Sequence, residues 1–286
     1  MTSKLSCHLI AADVGNSAVK LGRFRISTDA DRAGNKIDLQ LEGVYPTVVA
    51  GKELRSLSAG ESPPKRLDAL LLELPAAPHR WFSVSVNREL ELQLATWIRI
   101  RRPQDEYLQL DHTHFPQKID VRFPHRVGTD RLAASVAVNE LRSPKSAAIV
   151  VDAGTAVTVD VVTSDGVFRG GAILPGIETA ALALADATDA LPLLEHSDLS
   201  STPAPIGKST EEAIRSGVIW GCVGAVRELI AQISDQLPAV PEIYCTGGDG
   251  LHLARLIGRE LNFDPNLVLR GIAITGYRYF SQPADR

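Results

Sequence analysis

The chain has 286 residues, of which 44% are hydrophobic and 22% are charged, with a formal net charge of −4. This composition is ordinary for a globular protein and excludes collagen-like, mucin-like and broadly disordered chains. The slight acidic excess disfavours a dedicated nucleic-acid-binding protein, which is usually basic.

The first part of the chain is predicted to form three strands joined by turns, followed by a strand–helix unit. The predicted elements are strands over 8–12, 18–26 and 37–47, a short helix around 67–74, a strand over 81–86 and a helix from about 88 to 99. Asn87 is predicted to cap that last helix. The polar segments 27–37 and 56–66 read as a hairpin tip and a loop without an assigned role.

The Pro- and His-rich stretch 103–127 shows little periodicity, and we place a domain boundary near residue 118, giving domains 1–118 and 119–286. After it we predict helices over 129–141, 177–189 and 210–237, strands over 147–151, 157–162 and 242–245, a third strand near 166–171, and a final helix. No run of 18 apolar residues occurs, so we expect no membrane-spanning helix.

Two segments half a chain length apart share one pattern, which suggests two related lobes. Each is an apolar strand, then Asp-x-Gly, then a second apolar strand: LIAADVGNSAVKLGRF with Asp13, and AIVVDAGTAVTVDVVT with Asp152. Each lobe is therefore expected to begin with a β-hairpin whose turn carries an Asp and a Gly.

These turns have the composition of a phosphate site. Glycine lets the backbone approach a ligand closely, and exposed turn amides can bind an anion. Asp13 and Asp152 are suited to a metal ion or its water shell, and Lys20 to a phosphate. The alternative is an ordinary pair of hairpin turns, in which Asp and Gly are common.

Two further motifs carry both a structural and a chemical interpretation. Thr246-Gly247-Gly248-Asp249-Gly250 is either an ordinary strand-to-helix turn or a surface for a flat ligand such as adenine. Gly128-Thr129-Asp130-Arg131 also has two interpretations. In the structural one, Thr129 is the N-cap of a helix and the helix dipole favours Asp130 in its first turn. In the chemical one, Asp130 is a general base and Arg131 binds an anion.

Taken together, the motifs resemble those of type III pantothenate kinases, within the acetate-kinase/sugar-kinase/Hsp70/actin superfamily. The matching motifs, in family order, are Asp13-Val14-Gly15-Asn16-Ser17-x-x-Lys20, Gly128-Thr129-Asp130-Arg131, Asp152-Ala153-Gly154-Thr155-Ala156-x-Thr158, Gly170-Gly171-Ala172-Ile173-x-Pro175-Gly176, Gly207-Lys208-Ser209-Thr210-x-Glu212-Ala213-Ile214-x-Ser216-Gly217 and Thr246-Gly247-Gly248. Any one of them is weak, but the ordered set is specific.

The resemblance implies an α/β fold of two duplicated ribonuclease-H-like lobes, as in actin-like ATPases, with a nucleotide cleft between them. It implies transfer of phosphate from ATP to pantothenate, the first step of coenzyme A synthesis, with Asp130 as the general base. The implied ATP-binding residues are Asp13, Val14, Gly15, Asn16, Ser17, Lys20, Thr155, Gly247 and Gly248. The implied pantothenate-binding residues are Gly128, Thr129, Asp130, Arg131 and Thr210.

The resemblance also implies a monovalent cation, K⁺ or NH₄⁺, bound with the help of Asp152, and Mg²⁺ accompanying ATP. It implies a homodimer in the cytoplasm, with no nucleic-acid or membrane partner. The cysteines agree with a reducing compartment, because Cys7, Cys222 and Cys245 are far apart and form no C-x-x-C pair.

The sequence departs from the family pattern at a substrate-contacting tyrosine. Val121 stands at the position where the family often has Tyr, and Phe123 is the nearest aromatic residue. Two alternatives therefore remain: a regulatory, non-enzymatic relative of the Bvg accessory factor kind, or a superfamily kinase acting on another small alcohol. Ser17 replaces the usual Thr but retains the hydroxyl.

Overall fold

A computed structural model describes residues 6–16, 18–28, 37–50, 74–258 and 260–281. The chain divides into two compact units. The first comprises Met1–Pro116, Phe123–Ala137 and Leu267–Arg286, and the second comprises Gln117–Arg122 and Val138–Asn266. The predicted boundary between the two lobes, near residue 118, stays a prediction. The segments 27–37 and 56–66 lie largely or wholly outside the described residues, as does the predicted helix up to residue 73.

The first unit is built on a five-stranded sheet of order β3-β2-β1-β4-β5. Its strands are β1 (Ser6–Val14), β2 (Ala18–Thr28), β3 (Ile37–Ala50), β4 (Arg80–Ser85) and β5 (Glu106–Gln109). Strands β1, β2 and β3 are antiparallel neighbours, whereas β4 and β5 run parallel to β1. The first four strands confirm the prediction; β5 was not predicted.

Helix α1 (Arg88–Arg101) covers one face of this sheet. Its buried residues Leu90, Leu94 and Trp97 pack with alternate residues of β1 and with Trp81 of β4. The predicted cap is confirmed, because Asn87 Oδ1 accepts a hydrogen bond of 3.1 Å from Leu90 N. This local bond starts the helix directly after the strand.

Helix α2 (Thr129–Leu141) has the predicted bounds and contributes its residues up to Ala137 to this unit. The C-terminal helix α7 (Leu267–Ser281) packs on β1, β2 and β4 of the same unit. Gly271 of α7 faces the Ala133 backbone so closely that a Cβ there would lie 1.7 Å from the Ala133 carbonyl oxygen. Glycine is therefore needed for this approach of α7 to α2.

The second unit repeats the same sheet topology, with order β10-β9-β6-β7-β8. Its strands are β6 (Ala148–Ala153), β7 (Ala156–Val162), β8 (Phe168–Pro175), β9 (Glu242–Thr246) and β10 (Asn262–Phe263). Strands β6, β7 and β8 are antiparallel neighbours, and β9 and β10 run parallel to β6. The two sheets thus match strand for strand, which confirms the expected duplicated ribonuclease-H-like α/β fold.

Four helices complete the second unit: α3 (Ile177–Asp186), α4 (His196–Leu199), α5 (Thr210–Ser234) and α6 (Gly250–Ile257). The short α4 falls where the sequence predicted only loop. Helix α5 is long and apolar enough to cross a membrane by length and composition alone, so the expectation of no membrane-spanning helix stays a prediction. Its buried residues Val223, Val226 and Ile230 pack with β6 and β7.

Candidate active site

The β1–β2 turn presents the first predicted phosphate site in the first unit. Asp13 is the penultimate residue of β1 and lies directly opposite Lys20 of β2. Opposed residues of antiparallel strands share a face, so the carboxylate and the ammonium project to the same side of the sheet. Val14 is buried, Asn16 is exposed and Ser17 lies outside the described residues.

The backbone of this turn is tight. Gly15 N donates a hydrogen bond of 2.9 Å to Ala18 O. A Cβ at Gly15 would lie 3.2 Å from that same oxygen, closer than is comfortable. The turn therefore favours glycine, as its predicted role as a close-approach turn requires.

The β6–β7 turn of the second unit matches the first in position. Asp152 is the penultimate residue of β6 and lies opposite Thr158 of β7. Gly154 N donates a hydrogen bond of 3.0 Å to Ala156 O. The predicted pair of hairpins, each with an Asp and a Gly at its turn, is thus confirmed.

Two glycines bring other backbone segments against this second turn. A Cβ at Gly176 would lie 2.1 Å from Gly154 O, and one at Gly247, where φ is +93°, would lie 2.2 Å from Ala153 O. Neither position can hold a side chain without moving backbone atoms. The three segments form one continuous backbone surface in the second unit.

Hydrogen bonds fix that surface. Asp249 N donates to Ala153 O at 3.0 Å, and Thr155 O accepts from Gly176 N at 3.0 Å and from Thr179 Oγ1 at 2.6 Å. Thr155 and Gly248 are exposed, and a Cβ built on Gly248 would meet no described atom within 4 Å beyond its own chain neighbours. The open Gly248 backbone fits the predicted contact with a flat ligand.

Asp152 has two threonines and a buried cysteine among its neighbours in the sheet. Thr158 lies opposite it on β7, and Thr246 is its parallel neighbour on β9. Burial raises the pKa of the Cys245 thiol to about 12, and the charge of Asp152 adds to this rise. A half-buried carboxylate with two threonines as its sheet neighbours offers the oxygen ligands that hard cations prefer.

The Gly128–Arg131 motif lies at the start of helix α2, but Thr129 is not the N-cap that the structural interpretation predicted. Thr129 is the first helical residue, and Gly128 O accepts the first helical hydrogen bond, from Leu132 N. The Thr129 hydroxyl accepts instead from Ser85 N at 3.2 Å, at the end of β4. The prediction of Thr129 as the N-cap is therefore wrong, because its side chain is engaged by a distant strand.

Asp130 lies in the first turn of α2, where the helix dipole favours a negative charge. Its Oδ1 accepts a hydrogen bond of 2.8 Å from Arg131 N. A Cβ at Gly128 would lie 2.4 Å from that Oδ1, so the missing side chain leaves room for the carboxylate. The motif thus holds one carboxylate in a defined position at a helix start.

The remaining predicted contacts lie in different parts of the chain. Thr210 is the exposed first residue of α5, directly after the N-cap Ser209. Val121, in the second unit, lies beside Gly170. Phe123, in the first unit, is 47% exposed, with the Arg126 guanidinium 4.9 Å from its ring centre.

Sequence reasoning gave no role to Gly176 or Ser85. Gly176 touches the β6–β7 turn, and Ser85 holds Thr129. A local sequence pattern could have pointed to Gly176, because Pro175-Gly176 stands at the end of β8 and such a pair is typical of a turn. No such pattern pointed to Ser85, because a backbone hydrogen bond to a residue 44 positions away leaves no local pattern.

The duplicated sheets, each opening with an Asp–Gly hairpin, define the class of actin-like ATPases and sugar kinases. A solved structure agrees with this fold: a Campylobacter jejuni protein described as a conserved Baf family transcriptional activator has a TM-score of 0.55 and 20% identity. The match covers 96% of this chain and 100% of that protein.

Within this class, the chain belongs to the type III pantothenate kinase family, whose model matches residues 9–232. A type III pantothenate kinase of Rhodopirellula baltica is 33% identical over 92% of this chain and 96% of its own length. One of Alkalilimnicola ehrlichii is 42% identical over 52% of this chain, and that match spans 57% of the relative. The predicted family is therefore confirmed, and it is a family of kinases.

Proposed function

We propose that this chain transfers the terminal phosphate of ATP to the 4′-hydroxyl of pantothenate, the first step of coenzyme A synthesis. The observation that carries the proposal is the position of Asp130, held at the start of α2 by its bond to the Arg131 amide. Family membership supports the reaction and does not favour a regulatory, non-enzymatic role.

Asp130 acts as the general base and accepts the hydroxyl proton of pantothenate as the phosphate is transferred. Arg131 offers a planar fork suited to the pantothenate carboxylate. Gly128, Thr129 and Thr210 complete the substrate contacts in this proposal. Phosphoryl transfer needs little covalent work from the protein, so a fixed carboxylate and neutralised phosphates suffice.

ATP is bound by the turn residues of each unit. Asp13, Val14, Gly15, Asn16, Ser17 and Lys20 contact its phosphates, as does Thr155, and the Gly247–Gly248 backbone contacts the nucleotide. The pairing of Asp13 and Lys20 on one face of the sheet supports this assignment. Asp13 would hold the Mg²⁺ that accompanies ATP, which neutralises phosphate charge.

Asp152 binds a monovalent cation, K⁺ or NH₄⁺. We expect that replacing K⁺ by Na⁺ lowers turnover about tenfold, equivalent to about 1.4 kcal/mol of transition-state stabilisation. The reason is that K⁺ is larger and more weakly hydrated than Na⁺, so carboxylate and hydroxyl oxygens replace its water shell at a lower cost. Steady-state assays in KCl and NaCl at equal ionic strength measure this, and Asp152→Asn is expected to remove the difference. Equal rates of the unaltered protein in both salts would contradict the role of Asp152.

The protein acts as a cytoplasmic homodimer, and one face of the second unit supports this. Only 33% of the most apolar stretch of α5 is buried, and Leu184 of the neighbouring helix α3 is 38% exposed. A groove of about 390 Å³ between α3 and α5 is lined by apolar and small residues, including Leu184, Gly217 and Gly221. A second copy of this chain would cover this face.

Sedimentation measures this assembly. We expect twice the chain mass of 30.8 kDa for the unaltered protein and for Val240→Glu, which changes an exposed loop residue. Leu184→Glu puts a charge into the groove and is expected to give monomers, because burying an unpaired charge is costly. If Leu184→Glu still sedimented as a dimer, the groove between α3 and α5 would not be the dimer interface.

A competition experiment tests the substrate. Pantothenate is compared with other small alcohols, such as glycerol and a hexose, at equal concentration with ATP. We expect ADP release with pantothenate and formation of 4′-phosphopantothenate, detected by mass. Faster turnover of another alcohol would favour a superfamily kinase of different specificity, as the Val121 substitution allows.

A further inference from the structure

A carboxyl group is buried beneath helix α1 in the first unit. Glu91, in the first turn of α1, is only 5% exposed. Its Oε1 accepts hydrogen bonds from the hydroxyls of Ser83, at 2.6 Å, and Tyr107. The Tyr107 hydroxyl also lies 2.9 Å from Ser83 Oγ, so the three groups form one cluster between α1, β4 and β5.

Burying the Glu91 carboxyl group lowers the stability of the fold, and it is not needed to pack α1 on the sheet. Burial raises the pKa of Glu91, and the nearby hydroxyls of Ser83, Tyr107 and Ser85 offset this only in part. Its Oε2 is buried with no hydrogen-bond partner among the residues that the structure describes. A buried polar group without full compensation destabilises a fold, and the neighbouring inward residues of α1 show that apolar side chains suffice to seat the helix.

The strand end that Glu91 holds contacts both parts of the proposed site. Ser85 N donates to Thr129 Oγ1 at 3.2 Å, which ties β4 to the first residue of α2. One residue on, Val86 N donates to Val14 O at 3.1 Å, which ties the same strand end to the β1–β2 turn.

The loop after β4 is fixed by the same strand end. Ser85 Oγ donates to Asn87 O at 2.9 Å and accepts from Asn87 N at 3.1 Å. Asn87 in turn caps α1, four residues before Glu91. The strand end, the loop and the first turn of α1 therefore form one continuous hydrogen-bonded segment.

We propose that Glu91 is a positioning residue for phosphoryl transfer. By holding Ser83 on β4 and Tyr107 on β5, it fixes the end of β4, and through Ser85 and Val86 it fixes the start of α2 relative to the β1–β2 turn. Glu91 itself does not touch substrate, and its role rests on the proposed function of Asp130.

The experiment compares Glu91→Ala with Glu91→Gln, which keeps an acceptor oxygen for both hydroxyls. Gln93→Ala is the matched control, because Gln93 is buried on the same helix but its Oε1 has no described hydrogen-bond partner. Turnover, the KM values for ATP and pantothenate, and hydrogen exchange of the Ser85 amide are measured for each.

We expect Glu91→Ala to lower kcat about ten- to a hundredfold, since a displacement near 1 Å can cost that much. The KM for ATP is expected to change little, and the Ser85 amide to exchange faster. Glu91→Gln is expected to restore both kcat and exchange. If Glu91→Ala does not fold, Ser83→Ala and Tyr107→Phe each remove one hydroxyl from the cluster and leave Glu91 in place, and the same quantities are measured.

Two results would overturn the proposal: a kcat for Glu91→Ala equal to that of Gln93→Ala, or faster Ser85 exchange with unchanged kcat. Failure of the proposed function is distinguishable, because the unaltered protein would then release no ADP with pantothenate. In that case the exchange rate of the Ser85 amide in Glu91→Ala decides whether Glu91 fixes the end of β4. An unchanged exchange rate would overturn this structural role as well.

Discussion

Replacing Asp130 by Asn lowers pantothenate-dependent turnover by about 10²–10⁴-fold, the usual contribution of a positioned general base. The amide keeps the shape of the side chain but cannot accept the hydroxyl proton. Nucleotide affinity is expected to stay near that of the unaltered protein, because Asp130 is not among the proposed ATP contacts. Single-turnover kinetics and nucleotide-binding calorimetry on the same preparation measure both quantities.

The control for this substitution is Asp111→Asn. Asp111 is an exposed carboxylate of the same unit, and it is hydrogen-bonded to Thr113 and His114. We expect unaltered turnover for that variant. If Asp130→Asn retained near-native turnover while folded, another group would have to accept the proton.

The second large effect concerns stability. Gly271→Ala places a Cβ 1.7 Å from Ala133 O and 2.4 Å from the Ala133 carbonyl carbon. These are backbone atoms, so α7 and α2 must separate to relieve the overlap. We expect the free energy of unfolding to fall by about 3 kcal/mol or more, at the upper end of overpacking effects. Urea unfolding measures the change.

Gly224→Ala is the comparison for this variant, because Gly224 lies within α5 and a Cβ there would meet no described atom within 4 Å outside the adjoining helix backbone. Alanine in a helix interior is more stable than glycine by about 0.5–1 kcal/mol, so this change is expected to be neutral or stabilising. Equal destabilisation by both substitutions would mean that the contact between α7 and α2 is not close.

The sequence predicted best what is encoded locally. Both hairpins follow from alternating apolar residues around an Asp-x-Gly turn, and the Asn87 cap follows from one side chain before an apolar helix. Helix ends were predicted within about three residues, as frayed ends allow. The duplication was visible because two distant segments shared the same local pattern.

Features that depend on distant residues were not predictable. Strand β5 has only four residues, of which Tyr107 and Leu108 are its large apolar side chains, so its pattern is too short to recognise. The packing of α7 on β1 joins opposite ends of the chain. The bonds of Thr129 to Ser85 and of Glu91 to Ser83 and Tyr107 arise only after the sheet has formed.

The site was predictable as a set of motifs but not as a geometry. The positions of Asp13, Asp130 and Asp152 in their own elements fit the proposed roles. All the site assignments stay predictions, including those of Thr210 and of Ser17, which lies outside the described residues.

The account is tested most directly by ADP release from ATP in potassium and magnesium buffer, with and without pantothenate. The account predicts release that depends on pantothenate and saturates with it. Release that is the same without pantothenate, or absent from folded protein in its presence, would contradict the assignment of this chain as a kinase for that substrate.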